Sequence, residues 1–513
     1  MKINDFPVID LFAGPGGLSE GFACAENKQH KHPFRIALSI EKDKYAHQTL
    51  LLRAFTREFS QGLPDEYYEY LRGEISNEVL FTKFPREYES ASSKAWQAEL
   101  GSEVFPSSLV DERILKAIGN SRKWVLIGGP PCQAYSVIGR SRMRNSDPVA
   151  FAADLRHILY KEYLRILATH LPPIFILENV KGILSSTLDG QNIFSRIISD
   201  LTNPIANNTQ PVATNNIMYR LYSCSQQEKP DNNPSAFLVR MSRYGIPQDR
   251  QRIIVLGIRE DISVIPKTLN KAESIVPTSQ VISDLPRLRS MLSKEPDSSF
   301  LWYQAIRNVA TLNWMGNRKI DSLVKKKIQS AIEEINDALP TGSRYMECYN
   351  RSIYRSDWFY DEKLHGVCNH MSRSHIKNDI YRYLFATCFT SVHGRSPLLH
   401  DFPSDLLPDH HNIPLTLNRR SGLFADRFRV QLPDAPSTTI TSHIAKDGHY
   451  YIHYDPLQAR SLTVREAARL QTFPDNYYFE GPQTSQYQQV GNAVPPLLAK
   501  AIAEIVLEIL MAY

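Results

Sequence analysis

The run Trp124-Val125-Leu126-Ile127-Gly128-Gly129-Pro130-Pro131-Cys132-Gln133-Ala134-Tyr135-Ser136 decides how this chain folds. Its apolar residues read as a strand buried on both faces, as in a parallel sheet. Two glycines and two prolines then stop the strand abruptly. A single cysteine is thereby delivered to the carboxyl end of a strand, where open α/β sheets keep their ligands. A buried thiol is more often an inert small hydrophobe, so this turn alone does not choose between core and catalysis.

Working outward, residues 7–12 (Pro-Val-Ile-Asp-Leu-Phe) read as a first strand. Ala13-Gly14-Pro15-Gly16-Gly17-Leu18-Ser19 follows as a glycine-rich turn that opens a helix. Glycines there let a ligand approach the backbone, and the first helical N–H groups are free to bind it. A second strand at 34–40 ends in Glu41, an acid suited to a ribose hydroxyl pair. Strand, glycine turn, helix, strand and acid together suggest a cofactor containing adenosine.

Residues 53–122 are rich in Glu, Tyr and Arg and read as mostly helical. An acid after strand three is sought there, and Gly73-Glu74-Ile75 and Val110-Asp111-Glu112 are both open candidates. Beyond Cys132, residues 139–146 are polar and basic and read as a loop whose arginines could meet phosphates. Residues 155–170 have helical spacing, and a strand at 174–177 leads to Glu178-Asn179-Val180. An acid at that position, in the same sheet as Cys132, is a candidate acid/base group. Arg250 and Arg252 alternate ahead of the apolar strand 253–258, which puts them on one face as possible anion or planar-acceptor ligands.

Between about 260 and 435 the apolar periodicity weakens, which marks a second, less regular domain of mixed α and β. Arg318, Lys319 and Lys325–Lys327 form a loose basic cluster there, readable as a phosphate contact or a solvated helix face. His365, Cys368, His370 and His375 lack the spacing of a zinc site, and no metal is expected. Order returns at 461–471, a helix capped by Ser461 or Thr463, and the chain ends in an apolar helix from 497 to 511 expected to pack on the first domain.

The totals agree with a soluble globular protein. The chain has 513 residues, 59 Lys and Arg against 54 Asp and Glu, and a net charge of +5, which permits a polyanionic partner. Cys24, Cys132, Cys224, Cys348, Cys368 and Cys388 lie far apart, which argues for reduced thiols in a cytoplasm. Neither a secretory leader nor a membrane span is expected.

Taken in order, these pieces resemble the DNA cytosine C5-methyltransferase family. The matching segments are Asp10-Leu11-Phe12-Ala13-Gly14-Pro15-Gly16-Gly17, Pro130-Pro131-Cys132-Gln133, Glu178-Asn179-Val180, Gln248-Asp249-Arg250-Gln251-Arg252, Arg465-Glu466-Ala467-Ala468-Arg469-Leu470-Gln471 and Gly491-Asn492-Ala493-Val494. The resemblance implies an α/β fold: a Rossmann-like S-adenosylmethionine-dependent methyltransferase domain with a mixed α/β target-recognition domain. It places catalysis and cofactor in 1–262, target recognition in 263–435, and a return segment in 436–513 whose last helix completes the catalytic domain.

It further implies Cys132 as nucleophile toward cytosine C6, Glu178 at N3 with Asn179 orienting it, Arg252 at O2 and Arg250 beside the thiol. Asp10, Phe12, Ala13, Gly14, Gly16, Gly17, Leu18, Glu41, Pro130, Asn492 and Ala493 would hold S-adenosyl-L-methionine. Lys42 stands where the family often has an aromatic or apolar residue. Gln133, Ser136, Arg140, Arg142, His443 and Lys446 are the expected DNA contacts. The implied partner is double-stranded DNA, read by a monomer, with a restriction enzyme or defence proteins as genomic neighbours. Rival readings are an RNA cytosine methyltransferase, a catalytically silent DNA-binding protein and a small-molecule methyltransferase. The large second domain and the intact Cys132, Glu178 and Arg252 speak against them.

Overall fold

The buried apolar runs assemble into one sheet. This computed structural model describes residues 6–26, 32–131, 155–188, 191–206, 217–227, 233–407 and 425–513. Cys132, Gln133, Ser136, Arg140 and Arg142 lie outside the described residues. The strands are β1 (Phe6–Leu11), β2 (Phe34–Glu41), β3 (Ala95–Gln97), β4 (Val125–Gly128), β5 (Ile174–Val180), β6 (Tyr219–Ser223), β7 (Leu238–Arg240) and β8 (Gln251–Arg259). They lie in the order β3-β2-β1-β4-β5-β8-β6, with β7 on β8. From β3 through β5 every pairing is parallel, whereas β8 runs antiparallel to both β5 and β6. Every residue of β1 and β4 is buried, as a strand covered on both faces requires. The fold is α/β, with a Rossmann-like mixed sheet.

Strand order reverses between β1 and β4. The carboxyl ends of these two strands therefore flank the sheet's ligand position. Helix α1 (Gly17–Ala23) follows β1. Helix α2 (Lys44–Thr56) follows β2 and is capped by Asp43, which accepts from the N–H groups of Tyr45 (3.0 Å) and Ala46 (2.9 Å). The helix Pro496–Ala512 packs on α1 at Gly21, where a Cβ would come within 2.4 Å of the Ala499 Cβ. In the sheet Gly257 pairs with Phe175, whose ring occupies the space a side chain at 257 would need.

The third strand corrects one expectation. Neither Gly73-Glu74-Ile75 nor Val110-Asp111-Glu112 lies at its carboxyl end. Gly73 caps the helix Asp65–Arg72, and residues 110–112 lie within the helix Ser107–Ile118. Strand three is Ala95–Gln97, fixed by parallel pairing of Ser39 with Ala95 and of Glu41 with Gln97. The acid that follows it is Glu99.

The chain forms two compact units. One comprises residues up to Leu63, Phe81–Ser274 and Ala493–Tyr513; the other comprises Pro64–Leu80 and Ile275–Asn492. Residues 436–492, expected with the return segment, pack within the second unit, as does the short insertion 64–80. The second unit is of mixed α and β. Its core gathers Trp302, Ile306, Val324, Ile328, Leu384 and Phe385 from the helices Ser299–Asn308, Ser322–Glu334 and Lys377–His393. Strands β9 (Gly342–Glu347) and β10 (Gly366–Met371) form an antiparallel pair within it. Among the described residues, no helix is long and apolar enough to cross a membrane.

Candidate active site

The turn after β1 is built for close approach. Phe12 takes φ 56°, unusual for a residue with a side chain, and Gly14 and Gly16 are also left-handed at 56° and 94°. The Gly16 N–H donates to the Ala13 carbonyl (3.0 Å), closing the turn, and the Ala13 N–H donates to Ile40 of β2 (3.1 Å). Gly17 sits against the chain at 493–494, where a Cβ would come within 2.2 Å of the Val494 carbonyl oxygen. Phe12, Ala13 and Gly14 stay half-buried, while Gly16, Gly17 and Leu18 are buried.

Two carboxylates support this turn. Asp10 is fully buried, and neither of its oxygens has a hydrogen-bond partner of normal geometry among the described residues. Burial pushes its carboxyl up to about 7, opposed by nearby Ser19 and Arg57. Glu41 accepts from the Gly14 N–H (2.8 Å) and the Asp43 N–H (2.8 Å), so it clamps the turn to the end of β2. Desolvation raises its pKa, opposed by these two backbone bonds. The sequence pointed to Glu41 as a ligand contact; its hold on Gly14 was not visible there. Lys42 forms an ion pair with Glu99 (3.2 Å), linking the residue after Glu41 to the acid after β3.

The acid and the arginine expected near the thiol meet in the neighbouring strands. Antiparallel pairing sets Arg252 opposite Val180 and Ile254 opposite Glu178. Arg252 Nε lies 3.0 Å from Glu178 Oε1, both side chains mostly buried, and Arg252 Nη1 donates to the Gln251 carbonyl (2.9 Å). Desolvation lowers the Arg252 pKa, with Glu178 opposing it. Glu178 also packs against the turn after β4: a Cβ on Gly129 would come within 2.9 Å of its Oε2. Only glycine lets the carboxylate lie so close to that backbone. The Asn179 Oδ1 accepts from the Val180 N–H (2.7 Å), and its Nδ2 lies 3.5 Å from the Pro130 carbonyl. Arg250, just before β8, is fully buried, and its carbonyl accepts from Met241 (2.9 Å). Glu178, Asn179, Arg252 and Pro130 are thus gathered at one end of the sheet.

His443 and Lys446 are exposed, on and just after a short 3₁₀ turn, Ser442–Ala445, in the second unit. Arg373 holds that turn by donating to the carbonyls of Ile444 and Ala445. Gly491 lets the backbone at 441–442 come close, since a Cβ there would lie 2.3 Å from the Ser442 nitrogen. Asn492 is exposed at the end of its helix, and Ala493 is buried.

Comparison with known proteins gives the following. A model of the C-5 cytosine-specific DNA methylase family matches residues 101–204 and 222–508. The chain is 32% identical to Type II methyltransferase M.Bpa9945I of Bacillus paralicheniformis over an alignment of 523 residues, covering 98% of this chain and 99% of the relative. It is 26% identical to Type II methyltransferase M.DdeI of Desulfomicrobium norvegicum, covering 97% and 87% of the two chains. It is 25% identical to DNA (cytosine-5-)-methyltransferase M.ApeKI of Aeropyrum pernix, covering 76% and 82%.

Proposed function

The chain belongs to the C-5 cytosine-specific DNA methylase family, and on that premise we propose that it methylates C5 of a cytosine flipped out of a specific duplex sequence, through a covalent bond from Cys132 to C6. The observation that carries this reading is the Glu178–Arg252 pair closing on Gly129, three residues before the cysteine in sequence. A nucleophilic thiol, an acid and a guanidinium are what the chemistry of a cytosine ring needs.

The glycine turn fits S-adenosylmethionine as methyl donor. The half-buried residues Phe12–Gly14 come just after the fully buried Asp10, whose oxygens have no hydrogen bond of normal geometry among the described residues, and Glu41 holds Gly14. When bound there, S-adenosylmethionine supplies an electrophilic methyl group.

Cytosine C5 is a poor nucleophile. Addition of the Cys132 thiolate forms an S–C6 bond and moves the ring's electron pair toward C5 and N3. Glu178 would meet N3 and offset the charge that builds there. Arg252 would keep Glu178 oriented and contact O2, with Asn179 fixing the strand end. After methylation at C5, a base or water would take the C5 proton, the C5–H pair would re-form the C5=C6 double bond, and the S–C6 pair would leave with the Cys132 thiolate. Neither C5 nor C6 can be reached inside a duplex, so the base must leave the stack. Selection of the sequence falls to the region 263–435, with His443 and Lys446 beside it. The relatives' names place them in type II systems, and we assign this chain the same role in a cytoplasm, protecting host DNA beside a restriction enzyme.

Covalent capture tests the proposal. Duplex DNA carrying 5-fluorocytosine at the target, with S-adenosylmethionine, is expected to give a denaturant-resistant adduct with the wild type and none with Cys132→Ser. An equal adduct with Cys132→Ser would overturn the assignment of the nucleophile.

A further inference from the structure

Residues 312–330 contain five basic side chains, Arg318, Lys319, Lys325, Lys326 and Lys327, and one acid, Asp321. The whole chain carries a net charge of only +5, so this stretch holds a large share of it. The helix Ser322–Glu334 buries Val324, Ile328, Ala331 and Ile332 in the core of the second unit. That choice of face leaves Lys326 and Lys327 exposed and Lys325 at the border, with Arg318 and Lys319 exposed just upstream.

A solvated basic helix face usually carries acids at three- and four-residue spacing. This molecule follows that habit elsewhere, as in Lys500–Glu504 and Arg165–Glu162, both at 2.9 Å. Here the positions three and four away from Lys326 and Lys327 are Ser322, Leu323, Val324, Gln329, Ser330 and Ala331, none of them acidic. Asp321 is already engaged: it caps the Leu323 N–H (2.8 Å) and lies 3.4 Å from His393. Among the described residues, none of the five cations has an ion-pair partner. Desolvation does not explain the cluster either, because at least four of the five are in water.

We propose that this face binds DNA phosphates outside the recognition sequence, adding a sequence-independent grip in the second unit. The proposal rests on the DNA methylase reading above. Compact, hydrated lysine charges suit phosphate as point contacts. The exposed positions of the helix include no aromatic residue on which an unpaired base could stack, which favours duplex backbone over single strands.

The salt dependence of binding tests it in the full chain. For a duplex carrying the target sequence, the slope of log affinity against log salt becomes shallower by about 2 to 3 in the triple variant Lys325→Gln, Lys326→Gln, Lys327→Gln, since each lost phosphate contact removes about 0.9. The charge-keeping triple variant Lys→Arg at the same positions retains the wild-type slope. An unchanged slope in the glutamine variant, with wild-type methylation normal, would overturn the phosphate face alone. Absence of methylation by the wild type would instead overturn the enzyme reading beneath it. A slope that changes for a single-stranded RNA but not for duplex DNA would also contradict the proposal.

Discussion

The two units are held together by different chemistry. The sheet unit buries Ile9, Leu126, Phe175 and Val255 and gathers its reactive polar groups at strand ends. Both units bury arginine, the first as Arg250 and as Arg53 beside Glu20, but the second gathers three such residues, Arg460, Arg465 and Arg469, in one stretch. Arg465 donates to the carbonyls of Cys368, Pro474 and Tyr477, each at 2.7 Å. Arg469 spans Asp475 and Asp284, and Arg460 pairs with Glu466 at 2.7 Å. In the first unit apolar burial fixes the frame; in the second, fully buried charge pins loops that have little apolar periodicity of their own. The helix Val464–Leu470, whose sequence reads as a family signature, is the bolt of the second unit. Its Thr463 N-cap and Glu466 complete a reciprocal capping box at 3.1 and 2.7 Å.

The largest effect is expected from Arg469→Ala. It leaves Asp475 and Asp284 buried without their cation and should destabilise the second unit by about 3–5 kcal/mol. Denaturant unfolding would read this; a loss under 1 kcal/mol would mean the buried pairs are incidental. Glu178→Gln tests the strand-end chemistry of the first unit. Single-turnover methylation should slow by about 10²-fold or more with stability little changed, and an unaltered rate would remove Glu178 from the mechanism.

Protons should act in opposite directions on the buried histidines of the second unit and on Asp10 of the first. Burial lowers His370 and His453 to about 4, so both stay neutral in the folded state while the unfolded chain takes up protons below about 6.5. The stability they allow is complete above pH 6.5 and falls as pH drops toward 4, by up to about 1.4 kcal/mol per pH unit for each histidine. Asp10, raised to about 7, does the reverse: its contribution is greatest near pH 3.8 and is lost as pH rises to 7. Melting followed by hydrogen exchange in each unit, at pH 5 and 7.5, would separate the two slopes, and Asp10→Asn should flatten that of the sheet unit. The smallest effect is expected from Lys42→Ala. The exposed Lys42–Glu99 pair is worth at most about 1 kcal/mol, so S-adenosylmethionine affinity should fall less than about fivefold by calorimetry; a larger loss would give the pair a direct part in binding.

What could be read from sequence follows the same division. β1, β4, β5 and β8 announce themselves because each apolar residue reports its own burial. The proximity of Glu178 and Arg252 follows from the register of two such strands. Ala95–Gln97 does not announce itself: three residues between helices carry no period, and only pairing with β2 defines them. The attachment of 64–80 to the second unit was equally hidden. Tyr67 donates to Asn476, Tyr68 to Asp361, and Tyr70 bonds Glu480, all hundreds of residues away. Buried arginines pose the same difficulty, since a partner such as Asp284 for Arg469 leaves no local pattern. The clamp of Glu41 on Gly14 was missed because its sequence position suits a ribose equally well.

C5 methylation of duplex DNA through Cys132 can be read on DNA itself. The most direct measurement is bisulfite sequencing of plasmid DNA from cells expressing the wild type or Cys132→Ala. Protected cytosines are expected within one short sequence for the wild type and none for the variant. Equal protection in both, or none with the wild type, would contradict it.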